Sequence, residues 1–382
     1  MLILLIIFII ILLIVEQISL QYGLQKIHYE LQVSRPLLEP DEEFTITSTV
    51  ENHKFWFVPY ISMTELFPVG IIVPGQEDNL SDSGISENLY SSDSMTSLQQ
   101  NIGTWMHCSF YLMPNQQYVR KVTAKMPRRG RYLFTGAMMN GGDLLGLKDG
   151  NARFPATQEL VVIPKALPCP DLGIALGGFL GDMSVNRFLF EDPMLTIGFS
   201  EYSGREPMRD ISWTQSARMG RMMVKNYDHT VDLSVTVLLN IQSVKNVFEN
   251  EETVEQCISM TRSVCEILEE KQIKYSFITN SVMAGSMNFF SSIEEGLGNR
   301  HFYSVMESLG RATMLSCESF SSTILRACRS GEQGRYHIII TPDENEAWSS
   351  ALQKLRDLSD GKVFVLTPSM VKQDDSKKEG VA

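Results

Sequence analysis

Residues 231–239 read Val-Asp-Leu-Ser-Val-Thr-Val-Leu-Leu. Valine, threonine and leucine dominate, and β-branched side chains pack well on a pleated strand. A strand apolar on both faces belongs inside a parallel sheet. The chain downstream agrees. Val254, Cys257, Ile258, Met260, Thr261, Val264, Cys265 and Leu268 recur at helical spacing within Thr253–Lys271. Tyr275–Thr279, His337–Thr341 and Lys362–Leu366 read as strands. Phe302–Arg329 reads as one or two helices, and Glu346–Leu358 as another. Strands alternating with helices predict right-handed crossovers and a mostly parallel sheet. We therefore expect an α/β domain over 231–370 and a charged, disordered tail over 371–382.

Upstream the period changes from helical to two. Ile27, Tyr29, Leu31 and Val33 alternate with polar residues. Phe44, Ile46 and Val50 continue the pattern, as do Tyr118, Val122, Ala124 and Met126. Turn signals such as Glu39-Pro40-Asp41 separate the runs, and no long helical pattern intervenes. A β-sandwich over 25–165 is expected. Residues 75–104 are rich in Ser, Asp, Glu, Asn and Gly, and read as a mobile insertion. Residues 166–230 read as a linker carrying one distinctive segment.

The 382 residues suit two globular domains. Hydrophobic residues at 43% and charged residues at 20% allow a sizeable core. A net charge of −12 disfavours nucleic acid, whose phosphates would repel the chain. Six cysteines stand singly, without a Cys-x-x-Cys pair or zinc spacing. They read as reduced, structural thiols, which fits a cytoplasmic globular part.

Residues 1–15 read MLILLIIFIIILLIV. Fifteen helical residues span about 22 Å, against a hydrocarbon core of about 30 Å. Extension to Leu20 closes the gap, so 1–22 is expected to be a single-pass transmembrane anchor in the plasma membrane. A cleaved signal peptide would need a basic start and a small-residue cleavage site, and neither is present. Lys26 and Arg35 follow the apolar run and no basic residue precedes it, which places the bulk of the chain in the cytoplasm.

The distinctive segment is 201–218, Glu-Tyr-Ser-Gly-Arg-Glu-Pro-Met-Arg-Asp-Ile-Ser-Trp-Thr-Gln-Ser-Ala-Arg. Pro207 suits the first turn of a helix, and Glu206 the positive helix end. In that helix Arg209, Trp213 and Ser216 would share one face, and Met208, Ile211 and Gln215 another. Arg205, Arg209, Arg218 and Arg221 make a cationic patch in an acidic chain. The patch suits an anion site or, as the favoured reading, a clamp between domains with arginines bound to carboxylates.

The pattern Glu-Pro-Met-Arg-x-Ile-x-Trp-x-x-Ser-Ala-Arg, followed by Gly220-Arg221-Met222-Met223-Val224, closely resembles the signature of the bacterial domain-of-unknown-function 58 family. Arg129-Gly130-Arg131-Tyr132 with Gly142-Asp143-Leu144-Leu145-Gly146-Leu147 resembles a second family segment, and Leu160–Pro164 its final sandwich strand. The chain departs in showing one span where members often have two. It also carries Arg205-Glu206 where the family has Gly-Asp. The resemblance implies an α+β multidomain chain: an N-terminal membrane helix, an Ig-like β-sandwich, then a von Willebrand A-like, Rossmann-type α/β domain. It also implies association with a MoxR-type AAA+ ATPase and a neighbouring transglutaminase-like membrane protein. Tyr202, Pro207, Arg209, Trp213, Ser216 and Arg218 are the signature and interaction residues it marks.

A von Willebrand A-like domain often holds Mg²⁺ through Asp-x-Ser-x-Ser after its first strand. Hard cations need such short oxygen-bearing side chains. Here the three positions hold Asn240, Gln242 and Val244. Thr341 and Asp343 would be remnants of distal ligands. No metal or other cofactor is expected. Walker-type, HExxH and GxSxG motifs are absent, and the six histidines show no paired spacing. The expected function is a non-enzymatic adaptor at the membrane that works with the ATPase in assembling an envelope complex. The competing expectation is an envelope hydrolase or anion-binding protein using the Arg-rich segment.

Overall fold

Alternating burial organises the N-terminal half of the computed structural model. It describes residues 24–74, 80–82, 103–142, 149–167, 172–173, 176–179, 181, 192–204, 206–228, 234–243, 251–286, 291–330 and 335–372. The chain divides into two units: residues up to Lys165 with Leu309–Arg311, and Ala166–Ser308 with Ala312 onward.

The first unit contains β1 (Ile27–Val33), β2 (Leu37–Leu38), β3 (Glu43–Asn52), β4 (Val58–Pro68), β5 (Leu80–Asp82), β6 (Gly103–Leu112), β7 (Gln117–Lys125), β8 (Gly130–Gly142) and β9 (Asp149–Val162). β1, β3 and β7 form one antiparallel sheet, and the second runs β2-β9-β8-β4-β6-β5. Phe44, Ile46, Val50 and Val122 from the first sheet share a core with Ile61, Met63, Met106, Phe134 and Leu160 from the second. This is the expected sandwich. Gly136, at φ +104°, sits on a bulge where a side chain would strike the backbone of Phe154.

One charged cluster ties the two sheets. Glu65 is fully buried on β4. Tyr29 Oη, on β1, donates to Glu65 Oε1 at 2.7 Å. Arg120 Nη2, on β7, donates to Glu65 Oε2 at 2.7 Å. Burial pushes the Tyr29 phenol well above its ordinary pKa, and the Glu65 charge adds to it. A bidentate acceptor between two sheets fixes their offset more tightly than apolar contacts do.

The second unit opens with a hairpin of β10 (Asp192–Glu201) and β11 (Met223–Asp228), with α1 (Trp213–Met219) between them. There follow β12 (Ser234–Leu239), α2 (Glu251–Glu270), β13 (Lys274–Thr279), β14 (Ser281–Met283), β15 (Ser291–Gly296), α3 (Asn299–Arg311), β16 (Ala312–Ser316), α4 (Phe320–Ser330), β17 (Tyr336–Ile340), α5 (Ser349–Leu358), β18 (Val363–Leu366) and α6 (Pro368–Lys372). The main sheet runs β15-β13-β12-β17-β18, parallel except for β15. In chain order that is 3-2-1-4-5, a doubly wound arrangement whose order reverses at β12. Val235, Val237, Leu238 and Leu239 are all buried, as the opening run of sequence required. Cys257 and Cys265 are buried on α2, and burial raises both thiols' pKa values.

Three expectations change. The segment 302–329 contains β16 between its two helices, and β16 pairs with β14. The insertion at 75–104 carries β5, paired to β6, and 103–104 already belong to β6; its other residues from 75 to 102 lie outside those described. The helix expected from Pro207 to Arg218 is broken. Met208–Asp210 form one 3₁₀ turn, Ile211 turns extended to bridge Val224, and Ser212 caps α1. The buried Ile211 side chain gains more from joining the hairpin than one helical turn returns. The expected anchor at 1–22 and nearly all of the tail at 371–382 lie outside the described residues. Among the described residues no helix is long and apolar enough to cross a membrane.

Arg120→Met should strand the Glu65 carboxylate in the core and cost about 3–5 kcal/mol. Chemical denaturation of the full chain checks this. Glu65→Leu combined with Arg120→Met should recover more than half of the loss.

Candidate functional site

The reversal of strand order at β12 opens a crevice beyond the carboxyl ends of the strands, where ligands of such sheets bind. It measures about 380 Å³. Gln242, Ser243 and Asp343 supply polar walls, and Leu315 and Trp348 apolar ones. Trp348 is buried and meets Phe320 edge to face at 5.4 Å.

Asn240 directly follows β12 at the floor of this edge and is 1% exposed. Its Nδ2 donates to Thr341 Oγ1 and to the Gln242 carbonyl, both at 3.0 Å. Its Oδ1 accepts from Gln242 N at 2.9 Å and from Asn280 Nδ2 at 2.8 Å. A carboxamide has two N–H donors and two acceptor lone pairs, so all four are used. Asn280 follows β13 and accepts from Ile241 N at 3.0 Å. Thr341 follows β17 and donates to the Asp343 carbonyl at 2.8 Å. Two amides and one hydroxyl thus bind together the ends of the three central strands.

The next polar residues extend the network outward. Gln242 Nε2 donates to Ser316 Oγ at 3.0 Å, while its Oε1 accepts from Phe320 N at 2.9 Å. The side chain therefore caps α4, satisfying one of the free N–H groups at a helix start. Ser243 Oγ donates to Asp343 Oδ2 at 2.7 Å. The charge of Asp343 adds to burial in raising the pKa of Cys257.

The structure thus gathers Asn240, Gln242, Thr341 and Asp343 into one site, as the ligand positions read from sequence require. Val244 lies outside the described residues. The donor set does not fit a hard cation. Both lone pairs of Asn240 Oδ1 are committed, and Gln242 is spent on a strand and a helix end. Asn280 and Ser316 were not among the expected site residues. The available signal is that β12 and β13 are each followed directly by an asparagine.

The six signature residues fall on the hairpin segment, and its tip is open to solvent. Trp213 is 63% exposed and Met208 68%. Arg209 is 85% exposed at its side chain and lies 3.7 Å from the neighbouring Asp210. Pro207 and Arg218 are exposed, and Tyr202 and Ser216 half-buried. Ser216 is structural: its Oγ donates to Ser212 O at 2.7 Å and accepts from Met223 N at 2.8 Å. Tyr202 N donates to Met222 O at 2.9 Å, which extends the hairpin by one bond. Glu206 accepts from Ser203 N and Oγ, so it closes a loop rather than starting a helix. The face expected to join Arg209, Trp213 and Ser216 does not form, because the chain is extended at Ile211. Among the described residues, the expected pairing of arginines with carboxylates is seen at the surface for Arg209 with Asp210 and for Arg221 Nη1 with Glu201 Oε2 at 3.0 Å. Arg205 lies outside the described residues.

No family model matches the chain, and no curated protein matches it. Solved structures align with part of it. The CARDB domain of a Pyrococcus furiosus protein is 12% identical over 36% of this chain and 87% of its own, with a TM-score of 0.22. A non-cellulosomal cohesin from Archaeoglobus fulgidus is 10% identical over 36% and 91%, at 0.22. The major pilin subunit of Bacillus cereus is 8% identical over 37% and 41%, at 0.23. Scores this low carry no weight for fold or function, so the fold rests on the strand pairings.

Asn240→Asp would keep the acceptors, lose both donors and bury a charge. It should destabilise the protein by about 3 kcal/mol, read as a lowered Tm.

Proposed function

We propose that this chain is a membrane-anchored, non-enzymatic interaction protein of the domain-of-unknown-function 58 type. It works with a MoxR-type AAA+ ATPase in assembling an envelope complex, with its globular part in the cytoplasm and a transglutaminase-like membrane protein as a further partner. Its α/β unit is of the von Willebrand A-like kind, with the metal function replaced. The reading is carried by the Asn240 network. The position where such a domain would present a charged ligand instead spends every hydrogen-bonding group internally. What is left is a crevice of hydroxyls, amides, one engaged carboxylate and two apolar walls. Such a lining suits recognition of a polypeptide segment better than bond cleavage.

The exposed Trp213 and Met208 beside Arg209 and Arg218 give the ATPase a contact surface, since tryptophan and arginine are enriched where partners bind tightly. The competing reading, an anion-binding hydrolase, would use the same arginines.

Affinity purification from membranes should recover a MoxR-type ATPase. Trp213→Ala and Arg209→Ala should each lower the recovery by about tenfold without lowering Tm. Repeated failure to recover the ATPase with the native chain would overturn the proposal. Loss of phosphate binding with recovery unchanged would favour the competing reading.

A further inference from the structure

A second exposed apolar surface lies at one end of the β-sandwich. Phe55 is 87% exposed, Trp56 59% and Phe57 41%, consecutive in the β3–β4 connection. Tyr111, near the end of β6, is 61% exposed and Met113, in the β6–β7 turn, 52%, and both flank them. Three adjacent aromatic side chains in water are costly, and such patches mark contact surfaces.

The tip is held in place. Asn52, 1% exposed, donates through Nδ2 to Trp56 O and to Met113 O, both at 2.9 Å. Asn115 N donates to Lys54 O at 3.3 Å. One buried amide thus fixes both connections as a single surface, with the aromatic side chains directed away from the core.

The position of the tip identifies its occupant. His53 N donates to Lys26 O at 3.1 Å, and Ile27 pairs with Asn52. The described chain therefore enters the sandwich beside Phe55–Phe57. The sequence just before it holds the 15-residue apolar run at 1–15. The strand ending at Val162 leaves at the opposite end, where it pairs with Gly130. Charge points the same way. In a chain of net charge −12, this end carries Lys26 and Lys54, and the Glu51 carboxylate is bound by His53 Nε2 at 3.0 Å.

We propose that Phe55, Trp56 and Phe57, with Tyr111 and Met113, seat in the headgroup layer of the bilayer that residues 1–20 cross, with Lys26 and Lys54 facing anionic lipid. The inference rests on the anchor reading above. Tryptophan and tyrosine favour this layer because the ring is apolar and its N–H or O–H finds a wet partner, and the phenylalanines add apolar area beside them. Juxtamembrane lysines gain from the negative surface potential there. The contact fixes the sandwich upright on the membrane instead of leaving it tethered by a flexible joint.

The test uses the full chain in vesicles of phosphatidylethanolamine and phosphatidylglycerol with brominated acyl chains. We expect the chain to resist carbonate extraction. We also expect Trp56→Phe to remove most of the lipid-quenched tryptophan emission, while Trp213→Phe leaves it unchanged. Near-UV circular dichroism checks that Trp56→Phe keeps the fold. Carbonate resistance with quenching unaffected by Trp56→Phe would overturn the proposal and leave the anchor standing. Carbonate release would overturn both. Trp56 shielded from acrylamide yet untouched by brominated lipid would mean that a protein covers the tip, and would also overturn it.

Discussion

The carboxamide of Asn240 holds the edge on which the α/β unit depends. Parallel strands end in unpaired backbone groups, and in a doubly wound sheet those ends line the crevice. A cation with charged ligands can join such ends from outside. Here one neutral side chain joins them from within. It bonds to Asn280 after β13, Thr341 after β17 and the backbone at Gln242. A fully satisfied buried network is rigid, and each member lost leaves its neighbours unpaired. The crevice therefore has a fixed floor whatever occupies it.

Gln242 carries the constraint further. It lies two residues beyond Asn240 and spans from β16 to the start of α4. The side wall of the crevice is built by a residue that, on sequence alone, reads only as a failed metal ligand. The carboxamides of Asn240 and Gln242 brace the strand ends and the start of α4 from within. The β unit uses a different solution to a similar problem. There a buried carboxylate bridges tyrosine and arginine from the opposite sheet.

The architecture could be read from periodicity because burial imposes it directly. Val235–Leu239 had to be interior, and the alternation at Ile27–Val33 had to place one face inward. Asn240, Gln242, Thr341 and Asp343 could be placed by their positions after strands. Asn280 could not, because its role exists only once β13 lies beside β12. β16 was hidden because Ala312–Ser316 is short, lies between two helices and pairs with a three-residue strand. The break at Ile211 was missed because its competitor, a bridge to Val224, comes from a strand thirteen residues away. Glu65 stands at an inward position of β4, in phase with Ile61, Met63 and Phe67, and a strict reading of alternation would have marked it.

An amide network thus occupies strand ends where a hard cation would need free oxygen ligands. Calorimetric titration of Mg²⁺ and Mn²⁺ into the native chain distinguishes the two. No stoichiometric heat is expected, because the side-chain oxygens of Asn240 and Gln242 already accept hydrogen bonds within the protein. Saturable uptake of one ion per chain that disappears with Asn240→Ala would contradict this.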